Sequence, residues 1–281
     1  MKLLLCTDLD RTLLPNGTQP ESPQARERFN QLVARPEVTL VYVTGRDKAL
    51  VKKAINNFQI PVPDYVIADV GSTIYQITDN QWHHWEEWET VIGKDWQGNS
   101  YSDLHDALVG FRDLRLQPLS KQGTHKLSYF VPLYVDHKVL VEKLYAHFKQ
   151  QNIQVNIIWS IDEQANIGLL DILPESAGKR LAIEFLMQQL SFTLDETIFC
   201  GDSGNDISVM ESPIHSVLVA NANKDVKQLA QQLTAANNQL QSLYIAKGQY
   251  MGMNGNYSAG IVEGVAHYMP EIATWIESGN E

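Results

Sequence analysis

Only two cysteines, Cys6 and Cys200, occur among the 281 residues, too few for a disulfide framework. A single bridge is conceivable if their strands are neighbours, but buried reduced thiols are the expectation. Long hydrophobic runs are also missing, and no segment approaches the ~20 apolar residues of a membrane-spanning helix. The start, Met1-Lys2-Leu3-Leu4-Leu5-Cys6, superficially suggests a signal sequence, but Asp8 stops it far short of a secretory hydrophobic region. A cytoplasmic protein without a membrane partner is therefore expected. Basic residues are scarce: 22 Lys and Arg face 33 Asp and Glu, for a formal net charge of −11. That balance argues against nucleic acid or anionic lipid as the main partner. It leaves room for an anionic small molecule, because a metal and a lysine can reverse the field inside one cleft. Neither an internal repeat nor a low-complexity tract is present. The hydrophobic fraction of 44% is that of an ordinary globular chain, long enough for one large domain or two moderate ones.

What is present is a particular placement of carboxylates. Asp8 and Asp10 follow the apolar run Leu3-Leu4-Leu5-Cys6, and Asp202 and Asp206 follow Ile198-Phe199-Cys200. Short apolar runs of this kind read as buried parallel strands. Acidic residues just beyond them lie at the carboxyl ends, where open α/β sheets bind ligands. If the two strands are adjacent, four carboxylates share one crevice, and a divalent metal and a lysine are the natural counter-charges.

The first 78 residues alternate in βαβ fashion. Strands are expected at 3–6, Val38–Val43 and Tyr65–Ala68, with one helix capped by Ser22 and opened by Pro23 and another over about 47–58. From Asp79 to Asn166 the pattern changes to a tryptophan-rich segment, helical stretches and a strand-like run at 126–131. Alternation then resumes with a helix at 177–190, a strand at 198–200, a helix after Gly204, a strand at 217–220 and a helix around 225–233. The final helix is expected at 258–268. The fold class is α/β: a doubly wound, Rossmann-like parallel-sheet core (1–78 and 167–281) with an inserted α+β module (79–166).

In Asp8-Leu9-Asp10-Arg11-Thr12, residues two apart in extended chain point the same way. Asp8 suits a nucleophile that attacks phosphorus, and Asp10 the acid/base that protonates the leaving oxygen and deprotonates water. Alone, the pair could equally be an Asx turn at a strand exit. Gly201-Asp202-Ser203-Gly204-Asn205-Asp206 offers hard oxygen ligands that suit Mg²⁺, or, alone, a loop with a helix cap. Thr44-Gly45-Arg46 offers a hydroxyl, a bare N–H and a helix start to phosphate. Lys179 is a candidate cation for phosphate oxygens. Without a metal, attack of Asp8 on an anionic phosphate would face strong repulsion, so magnesium is expected to be essential.

This ordered set resembles the haloacid dehalogenase superfamily of phosphatases over the whole chain, with an insertion resembling the type IIB (C2B) cap. The resemblance implies Asp8 as nucleophile, Asp10 as acid/base, and Thr44, Lys179 and Asn205 on phosphate. It also implies Mg²⁺ held by Asp8, the Asp10 carbonyl and Asp202, with Asp206 in support. The second aspartate of the first motif favours phosphate-ester hydrolysis or mutase chemistry over dehalogenation. Arginine at position 11 departs from the small or uncharged residue usual there. It can contact substrate or cap, but a solvent-directed side chain is the expectation.

Several segments resemble the sucrose-phosphate phosphatases within that superfamily: Ala68-Asp69-Val70-Gly71-Ser72-Thr73-Ile74-Tyr75, His125-Lys126-Leu127-Ser128-Tyr129, Leu170–Pro174 and Tyr257–Gly264. They imply Gly71, Ser72 and Lys126 near the substrate. On the residues alone, Lys126 is as well read as a rim charge. Trp82, Trp85 and Trp88 are expected to pack at the cap hinge rather than stack on sugar, and the adjacent His83 and His84 diverge too much for a zinc site. The expected protein is a monomeric Mg²⁺-dependent sugar-phosphate phosphatase, with sucrose 6-phosphate foremost. Kanosamine 6-phosphate and mannosylfructose phosphate are alternative substrates, and a phosphomutase or a non-catalytic sugar-phosphate sensor are alternative functions.

Overall fold

The computed structural model describes residues 2–162 and 165–277. The outermost limits expected for the core, residues 1 and 281, therefore lie outside the described residues, as do residues 163–164 of the expected cap. Among the described residues there are twelve strands: β1 (Leu3–Thr7), β2 (Val38–Val43), β3 (Tyr65–Ala68), β4 (Thr73–Thr78), β5 (Gln81–His84), β6 (Arg115–Leu116), β7 (Leu127–Val131), β8 (Val155–Asp162), β9 (Ile167–Pro174), β10 (Thr197–Gly201), β11 (His215–Leu218) and β12 (Leu243–Ile245). Eight of them form one sheet in the order β12-β11-β10-β1-β2-β3-β4-β5. From β12 to β3 all neighbours are parallel, and β4 and β5 close the edge as an antiparallel hairpin. The chain steps outward from β1 through β2 and β3, then returns to the other side of β1 as β10. The strand order thus reverses between β1 and β10, and a crevice opens there beyond their carboxyl ends.

Side-chain alternation divides two apolar layers across this sheet. Leu3 and Leu5 of β1 face a cluster with Phe29 and Leu32 of the helix Ala25–Val33, Val51 and Ala54 of Lys48–Phe58, and Ile261 and Val265 of Ser258–Tyr268. Leu4 and Cys6 face the other cluster, with Ala182, Ile183 and Leu186 of the helix Lys179–Leu190 and Ala230 of Lys224–Ala236. Helices thus cover both faces, the doubly wound arrangement expected. The same alternation decides the cysteines. Register pairs Cys6 with Phe199 and Thr7 with Cys200, so the two thiols belong to opposite layers, and both are free and buried.

A second, antiparallel sheet, β6-β7-β9-β8, carries a separate core built on Tyr129, Leu170 and Ile172. Leu140, Leu144 and Phe148 of the helix His137–Gln150 and the fully buried Trp96 pack into it. The β4–β5 hairpin runs past residue 79 while remaining in the large sheet, and β9, past residue 166, belongs to the small one.

Two local expectations fail. The first helix begins at Ala25 rather than Pro23, because the Ser22 hydroxyl accepts the Asn254 N–H at 2.8 Å and does not cap it. The helix Ser258–Tyr268 is not the last, since another, Pro270–Glu277, follows and buries Ile272 in the core.

Candidate active site

The β1–β10 register carries the first two motifs to one place. The Asp8 N–H donates to the Cys200 carbonyl at 2.8 Å, so the residue after β1 is held beside the end of β10. One carboxylate oxygen from each of Asp8, Asp202 and Asp206 lies within 4.8 Å of the others, and all three residues are buried. Lys179, fully buried at the start of its helix, donates to Asp8 Oδ1 at 3.1 Å, Asn205 Oδ1 at 3.0 Å and Asp206 Oδ1 at 2.7 Å. Buried carboxylates without such a cation would be strongly unfavourable.

Close backbone approach makes this cluster possible. A Cβ on Gly201 would lie 2.6 Å from Asp206 Oδ2, the oxygen that accepts the N–H groups of Asp202 and Ser203 at 3.1 Å each. Gly71 has φ +100°, and a Cβ there would meet the Gly178 carbonyl carbon at 2.3 Å and the Lys179 nitrogen at 2.6 Å. The β3–β4 turn therefore presses on the peptide that launches Lys179.

Burial raises the Asp8 carboxyl well above the usual range, with Asp206, Asp202 and Asp10 adding to the effect and Lys179 opposing it. Burial also lifts Asp202, to about 7, with Asp206 adding and Arg11, Lys179 and the Thr12 hydroxyl resisting. For Lys179, burial disfavours the charge, but Asp206 and Asp8 outweigh it and raise the ammonium, which stays protonated. Three hard carboxylates in one buried cluster fit a small divalent cation such as Mg²⁺, and crowding of their charges supplies the reason to bind one.

Asp10 sits differently. Its carboxylate receives Arg46 Nε at 2.7 Å and a terminal Arg46 nitrogen at 2.6 Å, as well as Asn16 Nδ2 at 2.7 Å. Partial burial pushes its carboxyl up, but the Arg46 bonds and charge and the Asn16 bond prevail and hold it below the usual range. In this arrangement Asp10 is an ionised partner of Arg46 at the cleft edge.

Thr44 is buried at the end of β2, its hydroxyl accepting the Arg46 N–H at 3.2 Å, while Gly45 lies exposed beside it. Ser72 is turned into its own loop, donating to the Asp69 carbonyl at 3.0 Å. Lys126, buried just before β7 of the small sheet, reaches Asp69 of the large-sheet side at 3.5 Å. The tryptophans pack. Trp88 donates to the Gly71 carbonyl at 3.0 Å and lies 5.0 Å from Phe185, Trp85 stacks on Tyr65 at 5.6 Å, and Trp82 meets Tyr75. His84 contacts Glu89 at 3.1 Å.

Arg11 is the clear departure from expectation. It is not directed at solvent: its Nε lies 3.4 Å from Asp202 Oδ2, and its side chain is about one-third exposed, 30%. Residues without an assigned part in the sequence reading also enter the site. Thr12 donates to Asp202 Oδ1 at 3.3 Å, Asn16 orients Asp10, and Asp69 faces Lys126. Thr12 lies inside the first motif and Asn16 in a Pro-Asn-Gly turn, so both had a local signal. Asp69 had only its place in the Ala68–Tyr75 segment.

An α/β sheet of this order, with aspartates from two loops meeting a buried lysine at the reversal point and a second antiparallel sheet inserted beside it, defines a haloacid-dehalogenase-type hydrolase. Residues 1–269 match the model of sucrose-6F-phosphate phosphohydrolase. The chain belongs to that family, whose members are phosphoric monoester hydrolases. A protein of Nitrosococcus oceani named only as a HAD-like hydrolase is 50% identical over 280 residues, covering 100% of this chain and 75% of its own length. Sucrose-phosphatase 1 of Nicotiana tabacum is 30% identical over 81% of this chain, which spans about half (52%) of that plant protein. The crystal structure of the Synechocystis sucrose-phosphatase in complex with sucrose and phosphate superposes with a TM-score of 0.77 at 27% identity, covering 95% of this chain and 98% of the other.

Proposed function

We propose that this chain hydrolyses a soluble sugar phosphate, with sucrose 6-phosphate as substrate, through an aspartyl-phosphate intermediate. The observation that carries the reading is the meeting of Asp8, Asp202, Asp206 and Lys179 in one buried cluster at the β1–β10 crevice. In this reading Asp8 attacks phosphorus, and the bond from phosphorus to the sugar oxygen breaks as Asp10 supplies a proton to that oxygen. Asp10 then takes a proton from water, whose oxygen attacks phosphorus and returns the Asp8 carboxylate with release of phosphate. In the free protein Asp10 is a carboxylate paired with Arg46, so it must part from Arg46 and take a proton from solvent before the first transfer; Arg46 holds it at the cleft edge only while it is ionised. Lys179, Asn205, Thr44 and the N–H groups around Gly45 hold phosphate oxygens. Mg²⁺ held by Asp8, the Asp10 carbonyl and Asp202, with Asp206 in support, would neutralise charge on the phosphoryl group.

We place the division between core and cap near residues 85 and 175, after β5 and β9, rather than at 79 and 166. Lys126, Gly71 and Ser72 then line the seam where the sugar would lie: Lys126 on its hydroxyls, Gly71 through backbone, and Ser72 as a support for the turn.

A phosphate-release screen tests this reading. Sucrose 6-phosphate, mannosylfructose phosphate, kanosamine 6-phosphate and simple hexose phosphates are offered with Mg²⁺ and with a chelator. Chelator-sensitive release, fastest from sucrose 6-phosphate, is the expected result. Faster release from another glycoside phosphate overturns the substrate, an isomerised sugar phosphate without free phosphate marks a mutase, and binding without turnover marks a sensor.

A further inference from the structure

Arg11 occupies a backbone conformation that disfavours it. Its φ is +58°, in the left-handed region, where a long side chain is strained. The peptide is clamped on both sides. Its N–H donates to Asn16 Oδ1 at 2.8 Å, and its carbonyl accepts Asn221 Nδ2 at 2.6 Å. Asn221 in turn accepts the N–H of Tyr257, at the start of the helix Ser258–Tyr268, at 2.9 Å. Tertiary structure therefore holds position 11 in this unfavourable turn, and the guanidinium ends 3.4 Å from Asp202 Oδ2 while Thr12 takes Oδ1.

The other cations near the cleft are engaged elsewhere. Arg46 is committed to Asp10, and Lys179 to Asp8, Asn205 and Asp206. The ion pair at 3.4 Å sets the Arg11 charge beside Asp202. We propose that Arg11 is a built-in competitor of the divalent metal for Asp202, which weakens metal binding and sets the concentration at which the site fills. The inference rests on the reading of Asp8, Asp202 and Asp206 as a metal site. Formally, the three carboxylates against Lys179 and Arg11 leave a charge of −1 to attract the ion, and a neutral side chain at position 11 makes it −2. Charges this close in a buried cleft are only weakly screened by salt.

Titration calorimetry of the phosphate-free protein with MgCl₂ at fixed ionic strength tests this, using wild type, Arg11→Gln, Arg11→Lys and Arg11→Asn. Gln removes the charge at similar length. Lys keeps the charge, and Asn removes it while tolerating the left-handed backbone, so that a folding defect in Gln alone does not obscure the result. Arg11→Gln and Arg11→Asn should bind Mg²⁺ about tenfold or more tightly than wild type, and Arg11→Lys should stay within about twofold. Equal or weaker binding by both neutral variants overturns the role of Arg11 and leaves the metal site standing. No Mg²⁺ binding by wild type overturns both readings.

Discussion

Asp8 and Lys179 are the side chains on which the proposed chemistry turns. Asp8→Asn should lower phosphate release by at least about a thousandfold, since an amide cannot take up phosphorus as a carboxylate does. The same change removes a buried carboxyl that burial already makes costly to ionise, so the thermal midpoint should not fall. Normal turnover by that variant would refute the covalent route. Asp202 carries a pH consequence. Its folded value near 7 stands above the ordinary 3.8, so in metal-free protein the folded state keeps a proton that the unfolded chain has lost. Its contribution to stability is complete below about pH 4, declines as pH rises, and is gone above about pH 7. Metal must displace that proton, so the rise in melting temperature on adding Mg²⁺ should be larger at pH 8 than at pH 6. Differential scanning fluorimetry with chelator and with Mg²⁺ reads both trends, and a Mg²⁺ effect that shrinks with pH would contradict the assignment.

At the scale of elements, the turn between β3 and β4 is the part that loop chemistry alone would undervalue. Asp69, Val70 and Gly71 follow one another at positive φ, and Gly71 abuts the Gly178–Lys179 peptide. Gly71→Ala would place a methyl where backbone already lies, so one of the two segments must move. A loss of about 2–4 kcal/mol in stability is expected, with a fall in kcat larger than any change in KM because Lys179 moves with its helix start. Chemical denaturation together with steady-state kinetics checks both, and a near-neutral variant would show that the turn can give way. The strands and most helices were legible because apolar runs and caps are local signals: β2 and β3 fall where the sequence placed them, and Asp47 caps its helix through the Leu50 N–H at 2.9 Å. The Ser22 cap failed because its hydroxyl was claimed by Asn254, a partner 232 residues away.

For the whole molecule, the question is how the small sheet meets the large one. Lys126 crosses that seam to Asp69, and Lys121 reaches Asp47 at 3.7 Å, so two charge pairs join the segment before β7 to the loops that follow β2 and β3. Burial raises Asp69 even with Lys126 beside it. Lys126→Ala would leave that carboxyl buried without its cation and would withdraw a donor from the seam. KM for the sugar phosphate should rise at least about tenfold while kcat changes less, and an unchanged KM would remove Lys126 from the sugar site.

The sequence by itself determined the alternating α/β core, the two aspartate loops, the lysine that answers them and the resemblance to a phosphatase superfamily. Those features are written in short runs and fixed spacings, which depend on neighbours along the chain. Only the tertiary structure decided that Cys6 and Cys200 face opposite layers, that Arg11 turns onto Asp202, that Arg46 holds Asp10, and that Lys126 is buried against Asp69. Each of those outcomes depends on strand register or on a partner far away in the chain, and contacts of that kind have no local pattern from which to be read.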